Sequence, residues 1–133
     1  MSGLTDLDQL LAHLEPSLRE GEYVFITVDD DRMTDELQPL ATFVEDEGLS
    51  LIVERERAEA AGLAAEGVFR CITLTVRSSL EAVGLTAAVA TALAEAGISA
   101  NVVAAFHHDH VFVPAADAER ALSVLRGLQQ RAS

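Results

Sequence analysis

Cysteine is nearly absent from this chain of 133 residues: Cys71 is the only one. A single cysteine excludes an intrachain disulfide and a thiolate metal cluster. It lies in the apolar run "VFRCITLTV", so we expect a buried, unreactive thiol. Long apolar runs are also missing, because none approaches the roughly 20 residues that span a bilayer. The start "MSGLTDLDQL" has neither the basic nor the apolar part of a secretory signal, and we expect a soluble, cytoplasmic protein.

Basic side chains are scarce as well. Lysine and arginine number 9 against 22 aspartates and glutamates, which gives a formal net charge of −13. Such a field repels phosphate, so we expect neither a nucleic acid nor an anionic membrane as a partner. The simplest role of the acidic surface is solubility. What the chain does have is 50% apolar residues, a composition typical of a globular protein with a real core.

The first half of the chain shows helix and strand patterns of moderate length. Leucines at helical spacing predict a helix from Thr5 to Leu14, capped by Thr5 or Asp6 and stopped by Pro16. The stretch "DDDRMTDELQP" has no apolar period and is interpreted as a loop. The remaining elements are a strand at Glu22–Val28, a hairpin of strands Ala41–Glu45 and Leu49–Glu54 turning at Gly48, and a helix at Arg55–Ala61.

The second half begins with "VFRCITLTV" as a central strand. "SSLEAVGLTAAVATALAEAGI" is the clearest helix, starting near Gly84 or Leu85 and ended by Gly97. After it we expect a strand at Ile98–Phe106, a turn at His107–Asp109, a strand at His110–Val113 and a helix at Ala116–Gln129.

Matches at an offset of sixty residues indicate an internal duplication. They pair Val53 with Val113, Ala58 with Ala118, Glu59 with Glu119, and Ala61 with Ala121. The hairpins "FVEDEGLSLIV" and "FHHDHVFVP" are then equivalent, with the second a residue or so shorter. The second copy is predicted to run strand, helix, strand, strand, helix. The first is predicted to run helix, strand, strand, strand, helix, so its first two elements are in the reverse order. Two such copies predict an α+β fold of antiparallel sheets with helices on one face.

At this point the chain resembles a known family. "ITLTVRSSLEAVGLTAAVATALAEAGISANVVAAFHHDHVFVP" is similar to the C-terminal half of stand-alone bacterial tandem ACT-domain proteins. "GEYVFITVDD" and "ATFVEDEGLSLIVERERAEAAGL" resemble the first, divergent unit of that family. The resemblance implies two ACT-like (ferredoxin-like) units at residues 1–65 and 66–133, similar to the ACT units of amino-acid sensors.

The same resemblance implies a function. It is that of a non-enzymatic regulatory or sensor protein, without a cofactor, that binds an amino acid or similar small metabolite between its ACT units and forms a homodimer. The alternative is a protein–protein interaction module with no small-molecule ligand, acting through its acidic surface.

The segment "RSSLEAVGLTA" is the first candidate site. Serine hydroxyls and free backbone N–H groups at a helix start suit a carboxylate, and glycine allows close approach. The alternative is that Ser78 or Ser79 only starts and caps the turn. The ACT resemblance implies ligand contacts at Ser78, Ser79, Leu80, Val83, Gly84 and Leu85.

The strand and hairpin that follow supply the other candidates. Asn101 interrupts an apolar strand, so we expect a buried amide bonded to a ligand or to the facing loop. In "HHDH" each face of an extended chain offers only two ligands, which disfavours a metal site, and no G-x-S-x-G motif supports a hydrolase. We expect a tight hairpin in which Asp109 bonds the amides of its own turn. The resemblance to sensor hairpins implies that Asp109 or His110 holds the amino group of a ligand.

Overall fold

The structure is a computed structural model and describes residues 6–133. In chain order its elements are α1 (Leu7–Ala12), β1 (Pro16–Leu18), β2 (Tyr23–Val28), α2 (Thr34–Leu37), β3 (Ala41–Glu45), β4 (Gly48–Glu54), α3 (Arg55–Ala60), β5 (Phe69–Leu74), α4 (Leu85–Glu95), β6 (Asn101–Ala104), β7 (Asp109–Pro114) and α5 (Ala118–Ala132). Single 3₁₀ turns at Asp31–Met33 and Ala115–Asp117 precede α2 and α5. The elements form two compact units, which we call the C-terminal unit (residues 6–19 and 71–133) and the N-terminal unit (residues 20–70).

The C-terminal unit has the strand order β1-β5-β7-β6. β1 is antiparallel to β5 with Ser17 opposite Thr73, and β6 is antiparallel to β7 with Val102 opposite Val111. Helices α1, α4 and α5 share one core with the strands because their leucines and valines recur at helical spacing. Its fully buried side chains include Leu10, Leu14, Ile72, Val89, Leu93, Val111, Val113, Ala121 and Leu125.

The N-terminal unit has the strand order β3-β4-β2. All its pairs are antiparallel, and Tyr23 at the start of β2 also pairs with Phe69 at the start of β5. Helices α2 and α3 pack on one face of these strands, over a core of Val24, Leu37, Leu51, Val53 and Ala58. The predicted α+β class, with antiparallel sheets covered by helices on one face, is confirmed.

The polar stretch after β2 is not the loop that the sequence predicts. The Asp30 carboxylate accepts a hydrogen bond from the backbone N–H of Arg32 at 3.0 Å and starts a helical turn. Leu37 at the end of α2 is fully buried, so one apolar anchor holds the helix in place. The N-terminal unit therefore runs strand, helix, strand, strand, helix, as the C-terminal unit does, and the predicted rearrangement of its first two elements is wrong.

The offset of sixty residues extends through both hairpins. β3–β4 spans residues 41–54 and β6–β7 spans residues 101–114. Val53 and Val113 are both fully buried at the same place in their strands, as are Ala58 and Ala118 in the helices that follow. The second hairpin is therefore as long as the first, because Phe106 lies in its loop and is not the equivalent of Phe43.

Several element ends differ from those predicted. Asp6 caps α1 through the backbone N–H of Gln9 at 3.2 Å, while Thr5 lies outside the described residues. Pro16 does more than stop that helix, since it begins β1. The strand expected from Ile98 begins only at Asn101, because the Ile98 N–H bonds the Leu93 carbonyl and closes the end of α4. The division of the chain at residue 65 stays a prediction; the observed units are discontinuous because α1 and β1 pack with the C-terminal strands.

Candidate functional site

A small pocket of about 80 Å³ lies within the C-terminal unit. Two segments far apart in sequence form it: the β5–α4 loop with the first turn of α4, and the β6–β7 hairpin. The residues that line it are Ser78, Ser79, Leu80, Ala82, Leu85, Thr86, Ala104, Ala105, His107, His108 and Asp109. The pocket thus combines hydroxyl, imidazole and carboxylate groups with small apolar side chains.

The β5–α4 loop is held by its own hydrogen bonds. Ser79 Oγ accepts from the backbone N–H of Glu81 at 3.1 Å, and the Ser79 carbonyl accepts from the N–H of Ala82 at 3.0 Å. This is the turn-capping role that the sequence left open for a serine here. The Ser79 hydroxyl proton is not used by the bond it accepts, so this oxygen can also donate into the pocket.

Gly84 is the N-cap of α4 and has a φ of +100°, a backbone conformation that favours glycine. A glycine cap has no side chain to satisfy the first N–H groups of the helix. Leu85 and Thr86, whose N–H groups are in that first turn, line the pocket. The helix start is therefore a source of donors for an anionic group.

The hairpin presents its histidines in three different settings. Arg77 Nη2 donates to His107 Nδ1 at 3.0 Å, so the proton of the neutral ring lies on Nε2. His108 Nδ1 is buried without a hydrogen-bond partner among the described residues. His110 Nδ1 lies 3.0 Å from Thr73 Oγ1 on the neighbouring strand β5. An unpartnered polar atom in the pocket wall is a place where a ligand's polar group, or a water, can bind.

Burial shifts the pKa values of Asp109 and His110 in opposite directions. Burial raises the pKa of the Asp109 carboxyl, although the nearby His110 and His108 act to lower it. Burial lowers the pKa of the His110 imidazole, the charges of Arg19 and His108 lower it further, and Asp109 opposes them. Titratable groups that are perturbed in this way beside a pocket are typical of functional sites.

Five of the nine predicted ligand residues line the pocket: Ser78, Ser79, Leu80, Leu85 and Asp109. Val83 is exposed, and Gly84 faces the Leu7 side chain. Asn101 is exposed at the start of β6, so the expected buried amide is wrong; the strand begins there because Ile98 is held by the helix cap. Asp109 also is not in the turn: it pairs with Ala104 as the first residue of β7, and the loop closes through the Ala105 N–H and the His108 carbonyl at 3.0 Å.

The sequence did not single out Ala82, Thr86, His107 or His108 as pocket residues. A signal did exist for the two histidines, because they lie beside Asp109 in the same hairpin. Thr86 carried no signal, since one hydroxyl in an alanine-rich helix is common. Ala104 and Ala105, two small residues of the β6–β7 hairpin, also line the pocket.

Other features of the described residues limit the chemistry. Burial raises the pKa of the Cys71 thiol, which fits the buried, unreactive cysteine predicted. No group of three or more His, Cys, Asp or Glu side chains within residues 6–133 is arranged to hold a metal ion. No helix in that part of the chain is both long and apolar enough to cross a membrane.

Comparisons with solved structures place the fold. A Vibrio cholerae protein of unknown function, VC0802, described as a possible transport protein, is 54% identical with a TM-score of 0.81 over 88% of this chain and 91% of that one. The Agrobacterium tumefaciens protein Atu0741 is 19% identical with a TM-score of 0.66 over 86% and 87%. The regulatory subunit of aspartate kinase from Thermus flavus is 16% identical with a TM-score of 0.58 over 85% and 95%. A search of curated proteins returns no match.

Family models identify both halves of the chain. An ACT-domain model matches residues 2–70 and a second ACT-domain model matches residues 66–127. The tandem arrangement of two ACT-like, ferredoxin-like units is confirmed, and ACT domains and the aspartate kinase neighbours together suggest a regulatory role in binding small molecules. The chain belongs to the ACT-domain family.

Proposed function

We propose that this protein is a non-enzymatic sensor whose C-terminal unit binds an amino acid, or a similar small zwitterion, in the pocket between the β5–α4 loop and the β6–β7 hairpin. The observation that carries the proposal is the pairing of an uncapped helix start with a carboxylate across one small cavity. An α-amino acid has the two charges that match these two ends.

The helix side of the pocket suits the ligand's carboxylate. The first-turn N–H groups at Leu85 and Thr86 carry the positive end of the helix dipole, and α4 is 11 residues long. Ser78 and Ser79 add hydroxyl donors on the same side. No acidic residue occupies the first turn of α4 to compete for those groups.

The hairpin side suits the ligand's ammonium group. Asp109 is the only carboxylate among the pocket residues. A bound cation would restore the ionised form that burial disfavours, so binding and the ionisation of Asp109 favour each other. His108 Nδ1 offers a further acceptor when the ring proton is on Nε2.

The size of the pocket limits what it encloses. About 80 Å³ corresponds to two or three waters at about 30 Å³ each. This holds the charged head of an amino acid and leaves its side chain over the mouth, where Leu80 is largely exposed. Regulation then follows if the bound protein populates a different conformation from the free one.

A thermal-shift screen of the twenty amino acids tests the proposal. At 100 times its dissociation constant, a ligand should stabilise the protein by about 2.7 kcal/mol, a shift of several degrees. The Asp109→Asn variant should lose that shift, because it removes the partner of the ammonium group while keeping the shape of the side chain. Glu47→Gln, which removes one exposed carboxylate from the other hairpin, should keep it.

Two results would contradict the proposal. One is the absence of a shift with every amino acid under conditions where the protein is folded. The other is a shift of unchanged size in both Asp109→Asn and a Ser78→Ala, Ser79→Ala double variant, since the ligand would then bind elsewhere. The homodimer remains a prediction from the family resemblance, and the cytoplasmic location remains a prediction from the sequence composition; sedimentation and cell fractionation test them directly.

A further inference from the structure

Strand β3 of the N-terminal unit is an open sheet edge. Within residues 6–133 it pairs only with β4, from Ala41 opposite Ile52 to Glu45 opposite Gly48. The other side of the strand therefore presents its backbone N–H and C=O groups to solvent. Natural proteins commonly blunt such edges with lysine, proline or a bulge, because an open edge pairs with other extended chains. Between Ala41 and Val44, β3 contains no charged residue and no proline.

The side chains of β3 add apolar surface on both faces of the sheet. Phe43 is 72% exposed and Val44 is 81% exposed, and as neighbours in a strand they point to opposite faces. Ser50 of β4 lies directly opposite Phe43 and on the same face of the sheet. Two residues further along β4, Ile52 and its partner Phe25 of β2 lie on that face as well. Exposed aromatic and β-branched side chains at an open edge gain contacts on either face when a further strand is added.

The charge of the unit that contains this edge is predominantly negative. Residues 20–70 contain 14 acidic side chains and 4 arginines, a formal net charge of −10. Glu45, Asp46 and Glu47 are consecutive at the end of β3, and all three are exposed. A second copy of the same unit would bring a second charge of −10 to the interface, whereas a basic segment would be attracted to it.

We propose that β3 binds an extended, basic and apolar segment of another protein, which adds to the sheet as a new edge strand. The backbone groups of β3 bind its main chain, Phe43 and Val44 contact alternate side chains, and the acidic turn at Asp46–Glu47 contacts its arginines or lysines. This interaction is independent of the pocket in the C-terminal unit and does not rest on the proposed function.

A panel of nine-residue peptides tests the proposal on the full chain. The probes are a peptide of alternating valine and arginine, the same peptide with glutamine in place of arginine, and the arginine peptide with proline at alternate valines. The arginine peptide should bind at least about 10-fold more tightly than the other two, weaken as salt rises, and slow amide exchange at residues 41–45.

Matched variants locate the binding surface. Phe43→Lys with Val44→Lys should weaken binding of the arginine peptide at least about 10-fold, because lysines on an edge oppose strand addition. Phe106→Lys with Val83→Lys places the same substitutions on side chains that are 78% and 82% exposed in the other unit, and it should bind as the unmodified chain does. If the lysine pair at β3 does not fold, Phe43→Ser with Val44→Ser replaces it.

Asp46→Asn with Glu47→Gln should weaken binding and reduce its salt dependence, while Glu56→Gln with Glu66→Gln, which are also exposed, should not. The proposal is overturned if no peptide binds, if the arginine and glutamine peptides bind equally, or if both lysine pairs reduce binding to the same extent. It is also overturned if the protein forms a dimer that only the β3 lysine pair dissociates while peptides do not bind, since a second copy would then occupy the edge.

Discussion

The two hairpins have one backbone plan and different chemistry. At an offset of sixty residues, Gly48, Leu49 and Ser50 at the start of β4 correspond to His108, the last loop residue before β7, and to Asp109 and His110, the first two residues of β7. In the N-terminal unit the acidic residues are in the exposed turn, and the strand contributes Leu49 to the core. In the C-terminal unit the turn contains no acid, and the carboxylate stands in the strand itself, beside the pocket.

The segments that face the two hairpins differ, which explains the polar pocket beside the C-terminal hairpin. Ten residues, 75–84, connect β5 to α4, whereas β2 reaches α2 through the five residues 29–33, and three of these form a 3₁₀ turn. A long loop before an 11-residue helix offers serines and a helix start; a short connection before a four-residue helix does not. The duplicated backbone alone therefore does not produce this pocket, which depends on the β5–α4 loop and on the hairpin residues that line it.

The largest expected effect on stability comes from placing the residue type of one hairpin at the equivalent position of the other, at Leu49 and Asp109. Leu49→Asp should lower the free energy of unfolding by about 2–4 kcal/mol, because Leu49 packs against the core of Val24, Leu51 and Val53 and a carboxylate there loses both contacts and hydration. Urea denaturation measures the change.

The reciprocal Asp109→Leu is the control for that exchange. It should leave stability at neutral pH unchanged or raised, since burial already disfavours the ionised form of Asp109. A loss below about 0.5 kcal/mol for Leu49→Asp would mean that the two positions are equivalent after all.

Alanine substitutions at the equivalent positions Gly48 and His108 should differ less in the unfolding free energy that they cost. Gly48 has a φ of +152°, and an added Cβ would lie 2.9 Å from the Val28 carbonyl oxygen and 3.0 Å from Thr27 Oγ1. Gly48→Ala should therefore cost about 1–2 kcal/mol of unfolding free energy. His108→Ala should cost less than about 0.5 kcal/mol, because its buried Nδ1 has no partner to lose. Equal losses in the two variants, measured by thermal melting, would contradict this contrast.

Much of this fold was predictable because its periodic elements are long. The stripe of α4, the hairpin at Gly48 and the left-handed Gly97, with a φ of +74°, follow from apolar spacing and glycine chemistry. The short α2 was not predictable in this way, since four residues show no helical period. The helical turns there begin at a local cap, in which Asp30 accepts from the N–H of Arg32, and they are held by the burial of Leu37, which depends on tertiary contacts.

The candidate site also has residues that the sequence could predict and residues that it could not. Ser78, Ser79 and Leu85 were predictable from the resemblance, because the loop before α4 is part of the sequence that carries it. Asn101 was misjudged because a polar residue in an apolar run has two explanations, a buried amide or a strand end, and only the hydrogen bond from Ile98 to Leu93 decides between them. The position of Asp109 depends on the register of the hairpin, because a shift of one residue turns each side chain of the strand to the other face of the sheet.

The smallest expected effect is a pH dependence carried by His110, where the N-terminal unit has Ser50. The folded protein holds the His110 pKa below its ordinary value of 6.5, so the unfolded chain takes up this proton first as pH falls. Stability should therefore fall between pH 7.5 and 5.5, and His110→Asn should remove part of that fall, less than about 1 kcal/mol because the ring is partly exposed. Thr73→Val removes the hydroxyl 3.0 Å from Nδ1 but keeps the imidazole, so it should keep the dependence on pH. An unchanged slope in His110→Asn would show that another group titrates, and the contrast between the two hairpins would not extend to their response to acid.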